Sequence, residues 1–494
     1  MNDLLAGLAL LLRPENIAAI CGGTIIGYVV GIIPGLGASA GMALLIPFTF
    51  YMDPLTGVLL LVSLYGADHY GGAVPAITIN TPGGPAEIVT TFDGYPMARQ
   101  GLARRALWYA LTASFVGGIF GTVVLIATAG PLASFALLFG PPEYFALGVF
   151  GLAVVARLGE ADWLKATIAV LLGLFATTVG FDPISGSPRN TFGSVELLGG
   201  LPLIPMLIGL FAISEFLVSV ATSESPETKL KENVLDRFPR IRELWSLRKV
   251  LAQSSFLGTL IGVIPGAGAT IAGFVAYNEA RRISKSPETF GKGNPEGLVA
   301  SEASNNSVVG GSLVPLFALG LPGSAAAAVL VGALGIHGLV PGPLLFERSP
   351  DLMTGIFGGL LVGNVVMLIV GLMGIRMWTR IAYVRQSITM PVVLVLAITG
   401  TYALSQSLFD VMLALIFGVV GYVAKKLEFP LAPFVLALVL GELIETSFRQ
   451  SMVLFDGNYV RILYSPVAAG VFLLTVAMLA GPSLVAMRRR NRRP

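Results

Sequence analysis

Charged residues are scarce in this chain, and their scarcity sets its class. Asp, Glu, Lys and Arg make up 12% of the 494 residues, while hydrophobic residues make up 55%. A soluble domain carries about 25% charged residues, and the long charged surface segments of such a domain are missing. Many apolar stretches are long enough to cross a bilayer as helices. The sequence therefore predicts an all-α polytopic membrane protein with roughly 10–12 transmembrane spans, at ~20 residues each.

Cysteine and histidine are also nearly absent. Cys21 is the single cysteine, so no disulfide can form within the chain. His69 and His337 are the only histidines, which excludes a His-rich metal site. The sequence has neither a His-Glu-x-x-His motif nor a phosphate-binding Gly-x-x-x-x-Gly-Lys-Ser/Thr loop. We therefore expect no enzyme activity and no ATP hydrolysis by this chain, no cofactor and no nucleic-acid partner; Na⁺ is the only candidate metal.

Proline and glycine, in contrast, are abundant, and they occur in a duplicated pattern. Residues 27–41 read GYVVGIIPGLGASAG, and residues 258–272 read GTLIGVIPGAGATIA, 231 positions later (258 − 27), with 7 of 15 positions identical. Each copy is apolar on both sides and broken by Pro-Gly in the middle. A duplicated, broken hydrophobic segment is typical of a transporter built from two related halves, whose site lies where helices are interrupted.

A second pair of motifs follows the first. YGG at 70–72 leads to NTPGG at 80–84, and NN at 305–306 with GG at 310–311 leads to GLPGS at 320–324. The spacing from Gly71 to Pro82 is 11 residues and that from Gly310 to Pro322 is 12, so we expect one insertion between the copies. Such polar turns are tolerated at membrane depth only where protein or a water-filled cavity surrounds them.

The placement of Lys and Arg indicates that the two repeats are inverted. In the first repeat, the loop after the Pro-Gly segment has no Lys or Arg, whereas the far loop carries Arg99, Arg104 and Arg105. In the second, the near loop at 281–292 carries four basic residues and the far loop only Arg348. Lys and Arg concentrate in cytoplasmic loops, so matching loops should lie on opposite sides of the membrane. Inverted repeats with broken or re-entrant helices are the architecture of many secondary transporters.

The paired breaks supply the candidate site. Freed amides and the positive end of a half-helix can hold a carboxylate, while freed carbonyls and Asn or Ser oxygens can hold Na⁺. The candidate substrate-binding residues are Pro34, Gly35, Gly37, Ser39, Asn80, Thr81, Pro82, Gly83, Pro265, Gly266, Gly268, Thr270, Asn305, Asn306, Pro322, Gly323 and Ser324. The candidate coupling-ion residues are Asp68, Asn80, Ser304 and Asn305.

Ionisable residues inside apolar segments are costly, so each is a functional hypothesis. Asp68 and His69 stand out, with Asp68 as a site for a proton or Na⁺; the alternative is a solvated pair at a loop or interface. Glu302 is similar but lies nearer a charged loop. We expect Asp93 to make a turn. Arg189 could attract an anion at a vestibule, although a plain interfacial arginine is the simpler interpretation.

The chain divides into four predicted regions. Residues 1–221 form the first transmembrane half with repeat 1, and a charged cytoplasmic connector follows at 222–250. Residues 251–386 form repeat 2, and 387–494 form the C-terminal transmembrane helices with a basic tail. Five arginines in this tail predict a cytoplasmic C-terminus.

Several motifs together resemble one known family. They include GxxPGLGAS, YGG with NTPGGPA, TTFDGYPMARQG, GVIPGAGATIAGFVAY, SEASNNSVVGG and LGLPGSAAAAVL, in order between about residues 27 and 346. This set resembles the large membrane subunit of the bacterial tripartite tricarboxylate transporters. That family has a small or apolar residue before Tyr-Gly-Gly, so Asp68-His69 departs from its pattern, and Ser301-Glu302-Ala303-Ser304 is a variant of its usual Pro-Glu-Ala-Ala.

The resemblance implies a function and partners. Such a subunit lies in the bacterial inner membrane and works with a small membrane subunit and a periplasmic solute-binding protein. It imports a carboxylate, either a tricarboxylate such as citrate or a dicarboxylate or aromatic carboxylate, driven by a Na⁺ or H⁺ gradient. Two alternatives come from other classes: an ion channel, and an intramembrane enzyme that uses Asp68 and His69.

Overall fold

The computed structural model describes residues 7, 9–158, 162–222, 239, 241–381, 384 and 386–490. Most of the connector predicted at 222–250, and the last four residues of the basic tail, lie outside them. The described helices are α1 Pro14–Ile32, α2 Gly37–Thr49, α3 Pro54–Ile79, α4 Ile88–Arg99, α5 Ala103–Ala136, α6 Pro141–Leu158, α7 Trp163–Thr177, α8 Leu203–Leu207, α9 Ser214–Ala221, α10 Ile241–Ser246, α11 Arg248–Val263, α12 Gly268–Ile283, α13 Pro295–Leu319, α14 Ala325–Ile336, α15 Pro343–Arg348, α16 Pro350–Ile381, α17 Gln386–Ser405, α18 Leu408–Lys426, α19 Leu431–Leu454 and α20 Pro466–Arg490.

Smaller elements complete the described chain. A π-helical segment, Ile208–Ile213, joins α8 to α9 into one apolar rod. Short 3₁₀ turns lie at Pro85–Glu87, Pro287–Thr289 and Tyr459–Tyr464. The strands β1 Gly180–Phe181 and β2 Pro188–Arg189 form a small antiparallel hairpin with Gly180 opposite Arg189. The prediction of an all-α protein is confirmed.

The helices have the surface of a membrane protein. Seven described helices are long and apolar enough to cross a membrane, and four shorter apolar helices accompany them. Large hydrophobic side chains such as Ile388, Val392 and Val395 on α17 are exposed over one continuous face. A water-soluble protein rarely exposes such a face, whereas lipid solvates it. The predicted number of crossings, 10–12, stays a prediction.

Each duplicated Pro-Gly segment interrupts a helix, as predicted. Between α1 and α2, and again between α11 and α12, the chain passes through Pro-Gly. Proline has no amide to continue the helical hydrogen bonds. Gly35 has a φ of 91° and Gly266 one of 76°, a left-handed conformation that glycine adopts without steric cost.

The second motif of each repeat, NTPGG or GLPGS, begins where the next long helix ends, and its first residue has a left-handed conformation. Asn80 follows α3 with a φ of 57°, and Gly320 follows α13 with a φ of 75°. The chain then turns back, so that Gly83 N donates to Gly72 O (3.2 Å) and Gly323 N to Ser312 O (3.3 Å). This pairing equates Gly71 with Gly311, which lies 11 residues before Pro322. The prediction of one insertion between the copies is therefore wrong, because it pairs Gly71 with Gly310 instead of Gly311.

The two interruptions within each repeat are joined by one hydrogen bond. Gly35 N donates to Gly83 O (2.8 Å), and Gly266 N donates to Gly323 O (3.0 Å). Residues 33–36 with 80–84 are called the first break below, and residues 264–267 with 320–324 the second break. The same backbone bond at both places shows that the repeats share one local fold.

Close contacts at glycines show the directions of the helices. Within each repeat the two long helices are parallel, α1 with α3 and α11 with α13. Across the repeats, α5 runs parallel to α13 and antiparallel to α16. Helix α16 in turn runs parallel to α3. It follows that α3 of the first repeat and α13 of the second are antiparallel. The contacts pair Gly23 with Leu60, Gly31 with Asp68, Gly258 with Ser304, Gly262 with Val308, Gly117 with Ala303, Gly121 with Ser307, Gly118 with Asn364, Gly371 with Leu111, Gly355 with Leu55 and Gly363 with Ser63.

Loop contacts agree with this inversion. Gln100 Nε2 donates to Lys292 O (2.8 Å), so the arginine-bearing loop of repeat 1 meets the basic loop of repeat 2 at one end of the molecule. This is the basic end. At the opposite end, His337 lies against Gly57, and Tyr51 Oη donates to Ala403 O (3.2 Å). The predicted inverted repeats are thus present in the structure.

Candidate functional site

The two breaks lie close together in the interior, and α3 and α13 connect them. Tyr65 on α3 contacts Ser312 Oγ (3.2 Å) and Ser324 Oγ (3.0 Å) at the second break. Seven residues farther along α3, Gly72 accepts the hydrogen bond from the first break. At 1.5 Å per residue, the two breaks are about 10 Å apart along the helix. Side chains from either repeat can therefore reach both breaks.

Glu87 is the central side chain of the first break. It lies in the 3₁₀ turn that follows NTPGG, and only 2% of it is exposed. Its Oε2 accepts a hydrogen bond from Gly84 N (2.8 Å). Its Oε1 contacts His69 Nδ1 (3.2 Å) and accepts from Asn305 Nδ2 (3.0 Å). Glu87 therefore ties α3 of repeat 1 to α13 of repeat 2.

Asp68 lies beside this group. Its side chain is buried, and the amide of Ala38 in the first turn of α2 hydrogen-bonds to its carboxyl group. Oδ1 of Asp68, Nε2 of His69 and Oδ1 of Asn305 are buried without a hydrogen-bond partner among the described residues. Buried polar atoms are nearly always paired, so these three atoms make the surroundings of Glu87 the candidate site for a small polar ligand.

The other predicted coupling-ion residues face different surroundings. Ser304 Oγ donates to Ala300 O (2.8 Å) on its own helix. Asn80, the left-handed residue after α3, is exposed. The structure thus brings Asp68 and Asn305 to the group around Glu87, and it places Ser304 and Asn80 outside this group. The coupling-ion assignment stays a prediction.

The predicted substrate residues lie along both breaks. Ser39 and Thr270 lie in the first turns of α2 and α12, and Thr270 is buried. Asn306 lines a cavity of about 10 Å³ together with Ser63 and Asn364, a space for about one water molecule. The remaining predicted residues form the backbone of the breaks themselves: Pro34, Gly35, Gly37, Thr81, Pro82, Gly83, Pro265, Gly266, Gly268, Pro322, Gly323 and Ser324.

The two breaks have different electrostatic surroundings. Glu215 on α9 lies against Gly35 and pairs with Lys425 on α18. Val155 on α6 takes the corresponding place against Gly266. Asp68, Glu87 and Glu215 all gather at the first break, whereas the second is contacted by the hydroxyl groups of Tyr65 and Ser312. The first break is therefore suited to a cation and the second to an anion.

Two further ionisable residues, Glu302 and Asp93, have structural partners. Glu302 accepts hydrogen bonds from Ser114 (3.0 Å) and Thr90, and so ties α13 to α4 and α5. Asp93 does not make the predicted turn. It lies inside α4, where it accepts from Tyr277 Oη (2.9 Å) and from the amides of Gly293 (2.8 Å) and Asn294 (2.7 Å). Helix propensity could not foresee partners 200 residues away.

Arg189 belongs to an ion-pair cluster between the hairpin β1–β2 and α19. It makes a bidentate pair with Glu445 (2.6 and 2.9 Å), and Arg449 pairs with Asp182 (2.6 Å). The amides of Ser185 and Ile184 and the nearby Arg449 guanidinium hold the pKa of Asp182 well below its usual value. This arginine is committed to a structural pairing, in agreement with the simpler of the two interpretations.

Ser39 has the spacing of a catalytic serine without the structure of one. Residues 37–41 read Gly-Ala-Ser-Ala-Gly, which has the spacing of a Gly-x-Ser-x-Gly nucleophile motif. That motif works on a sharp turn from a strand into a helix. Here the helix α1 precedes it, and Ser39 lies in the first turn of α2. The spacing therefore arises from a broken helix; the enzyme alternative, which uses Asp68 and His69, does not depend on it.

Sequence reasoning missed Glu87, Tyr65, Glu215 and Lys425. Glu87 stands in a polar stretch, outside the apolar runs where an ionisable residue attracts notice. Only the return of the chain at 80–84 brings it against Gly72. Tyr65 did carry a signal, because it lies on the same face of α3 as His69, one helical turn away.

Comparisons with known proteins agree with this architecture. The family model described as "Tripartite tricarboxylate transporter TctA family" matches residues 17–436. An uncharacterized 52.8 kDa protein in the TAR-I ttuC′ 3′ region of Agrobacterium vitis is 34% identical over 502 residues, covering 99% of this chain and 98% of its own. An uncharacterized protein in the TAR-II ttuC′ 3′ region of the same organism is 32% identical over 234 residues, covering 47% of this chain and 97% of its own.

Proposed function

Because the chain belongs to the tripartite tricarboxylate transporter TctA family, we propose that it is the large transmembrane subunit of a binding-protein-dependent secondary transporter that imports a carboxylate. A gradient of Na⁺ or H⁺ drives the import. Its partners are a small membrane subunit and a periplasmic solute-binding protein. The observation that carries this proposal is the pair of polar breaks, about 10 Å apart by helical rise, in two inverted repeats.

The substrate carboxylate binds at the second break in this proposal. The N-termini of α12 and α14 begin there, and free amides at a helix N-terminus attract an anion. Tyr65, Ser312 and Ser324 add hydroxyl groups. The acidic side chains at the first break would repel a carboxylate, and they suit the coupling cation.

The membrane is the bacterial inner membrane, with the basic end of the molecule in the cytoplasm. Arg99, Arg281 and Lys292 belong to this end, and the five arginines of the C-terminal tail support a C-terminus on the same side. The division into two transmembrane halves, a connector and a C-terminal region completes the proposal. In the folded chain, α5 of the first half packs on α13 of the second, so the halves assemble as one interlocked body.

The test is uptake into proteoliposomes. The chain and its small membrane subunit are reconstituted with and without the binding protein, under imposed Na⁺ or H⁺ gradients. Labelled citrate, a dicarboxylate and an aromatic carboxylate serve as probes. We expect saturable accumulation that needs both the gradient and the binding protein. Non-saturable, gradient-insensitive flux would contradict the proposal and support a channel.

A further inference from the structure

Glu87 accepts hydrogen bonds at both of its oxygens. Oε2 accepts from Gly84 N (2.8 Å), and Oε1 accepts from Asn305 Nδ2 (3.0 Å) and lies 3.2 Å from His69 Nδ1. Gly84 N and Asn305 Nδ2 can only donate, whereas His69 Nδ1 donates to a carboxylate in one of its two tautomers. The geometry is thus that of a carboxylate surrounded by nitrogen donors, with His69 as the titratable one.

His69 pairs with Glu87 through Nδ1, and its other ring nitrogen, Nε2, has no partner among the described residues. With Nδ1 donating to Glu87, the neutral imidazole carries its lone pair on Nε2. That atom is buried and has no partner among the described residues, and the side chain is 7% exposed. A proton on Nε2 would give an imidazolium beside the Glu87 carboxylate, so the buried charge would be compensated at once.

A line of polar side chains connects this pair to the second break. The rings of Tyr65 and His69 lie 5.5 Å apart between centroids, and the Tyr65 hydroxyl contacts Ser312 and Ser324. A ligand bound at the second break would compete for the Tyr65 hydroxyl. Tyr65 is therefore the side chain that touches both His69 and the second break.

The other ionisable groups near His69 contact other residues. Asp68 precedes it on α3; its carboxyl group accepts from the amide of Ala38, and its Oδ1 has no hydrogen-bond partner among the described residues. Glu302 on α13 is occupied by Ser114 and Thr90, and Tyr70 donates to Leu107 O (3.4 Å). Glu87 on the 3₁₀ turn is thus the carboxylate in contact with His69.

We propose that His69 Nε2 binds the coupling proton of this transporter, with Glu87 as its counter-ion and Asn305 as the group that fixes Glu87 in place. This inference rests on the proposed function. A proton from the water on one side forms the Nε2–H bond, and the same bond breaks to release it on the other side. A nitrogen base at the centre favours H⁺ over Na⁺, since Na⁺, like other hard cations, prefers oxygen ligands.

A direct test uses the histidine content of the chain. With only two histidines, protein labelled with ¹⁵N in histidine gives two imidazole signal sets in proteoliposomes, and His337→Asn leaves that of His69 alone. We expect an Nδ1–H tautomer at high pH and a second proton on Nε2 when the pH is lowered. An Nε2–H tautomer at high pH, or an imidazole that takes up no second proton as the pH is lowered, would overturn the proton site whether or not transport is observed.

Transport by variants tests the coupling. His69→Asn keeps an amide near the position of Nδ1 and removes the titratable ring; His337→Asn is the matched control at the opposite end. With labelled citrate, a dicarboxylate and an aromatic carboxylate as probes, we expect His69→Asn to lose at least tenfold of the accumulation driven by a proton gradient and to keep gradient-free substrate exchange. His337→Asn should retain both.

Two results would overturn the inference on the transport side. One is normal proton-driven accumulation by His69→Asn; the other is wild-type accumulation driven by Na⁺ alone, which would point to the orphaned oxygens of Asp68 and Asn305 instead. If the wild-type protein takes up none of the probes under any gradient, the proposed function fails, and the imidazole titration still decides whether His69 binds a proton.

Discussion

Gly83 shows how a single residue holds the first break together. A methyl group placed on it would meet Gly31 O at 2.2 Å and Gly72 Cα at 2.4 Å, both backbone atoms that cannot rotate away. Glycine is therefore required for the chain to return at 80–84 and to present Glu87 to His69. At Gly323 in the second break, the equivalent contacts are 2.8 Å, so the packing there is looser.

We therefore expect Gly83→Ala to destabilise the folded protein by about 1–3 kcal/mol, the usual cost of overpacking, and Gly323→Ala to cost less. The measurement is the midpoint of thermal unfolding in detergent, followed by intrinsic fluorescence. Gly66→Ala is the control, because a methyl group there meets no atom within 4 Å. A Gly83→Ala variant as stable as the control would show that the break relaxes freely.

Single residues also show how much of the candidate site could be predicted from the sequence. Asp68 and His69 were found because they interrupt an apolar segment, and Asn305 because it stands beside a repeated motif. Glu87 could not be found in this way, since its partners lie 18 and 218 residues away. A carboxylate in a polar stretch is unremarkable until the fold brings it into the interior.

At the scale of elements, the repeats were predictable because their signals are local. Pro-Gly interrupts a helix through its own backbone, and the Lys and Arg content of each loop predicts on which side of the membrane that loop lies. The wrong insertion and the wrong turn at Asp93 are failures of another kind: each depended on which residue lies opposite which. Hydrogen bonds across the fold, such as Gly323 N to Ser312 O, decide such questions.

The hairpin β1–β2 gives an element-scale prediction about pH. The pKa of Asp182 is lowered in the folded protein, so the ionised carboxylate stabilises the folded hairpin fully at pH values above its unfolded pKa of about 4. This stabilisation is lost as the pH falls through the pKa that Asp182 has in the folded protein. We expect hydrogen-exchange protection of residues 180–189, corrected for intrinsic rates, to hold from pH 7 to about 4 and to decline below that.

The variant Asp182→Asn should reduce this protection already at pH 7 and weaken its acid dependence, since the pairing with Arg449 is gone while the Arg189–Glu445 pair remains. Glu196→Gln, in the same connection between α7 and α8, serves as the control because its side chain bonds only to the nearby Ser194 among the described hydrogen bonds. Equal protection in Asp182→Asn and wild type at pH 7 would mean that the Arg189–Glu445 pair alone holds the hairpin.

For the whole molecule, the central question is whether the breaks move together relative to the surrounding helices. Side chains make the contacts between the repeats and these helices: Pro47 of α2 packs on Gly400 of α17, Glu215 of α9 lies against Gly35, and Val155 of α6 lies against Gly266. Contacts within the repeats are instead made by backbone against backbone at glycines. This contrast favours a sliding, elevator-like motion of the repeats against the surrounding helices, which would carry a bound carboxylate and proton across.

Crosslinking tests this motion in a Cys21→Ser background. A methyl group built on Gly400 lies 3.5 Å from Pro47 Cβ, and one built on Gly94 lies 3.6 Å from Ile77 Cβ, both within disulfide range. We expect oxidation of Pro47→Cys/Gly400→Cys to abolish uptake and reductant to restore it. The matched pair Ile77→Cys/Gly94→Cys lies inside repeat 1 and should transport when oxidised. If the fully crosslinked first pair still transports, α2 and α17 move as one body, and access to the site must alternate by smaller movements at the breaks.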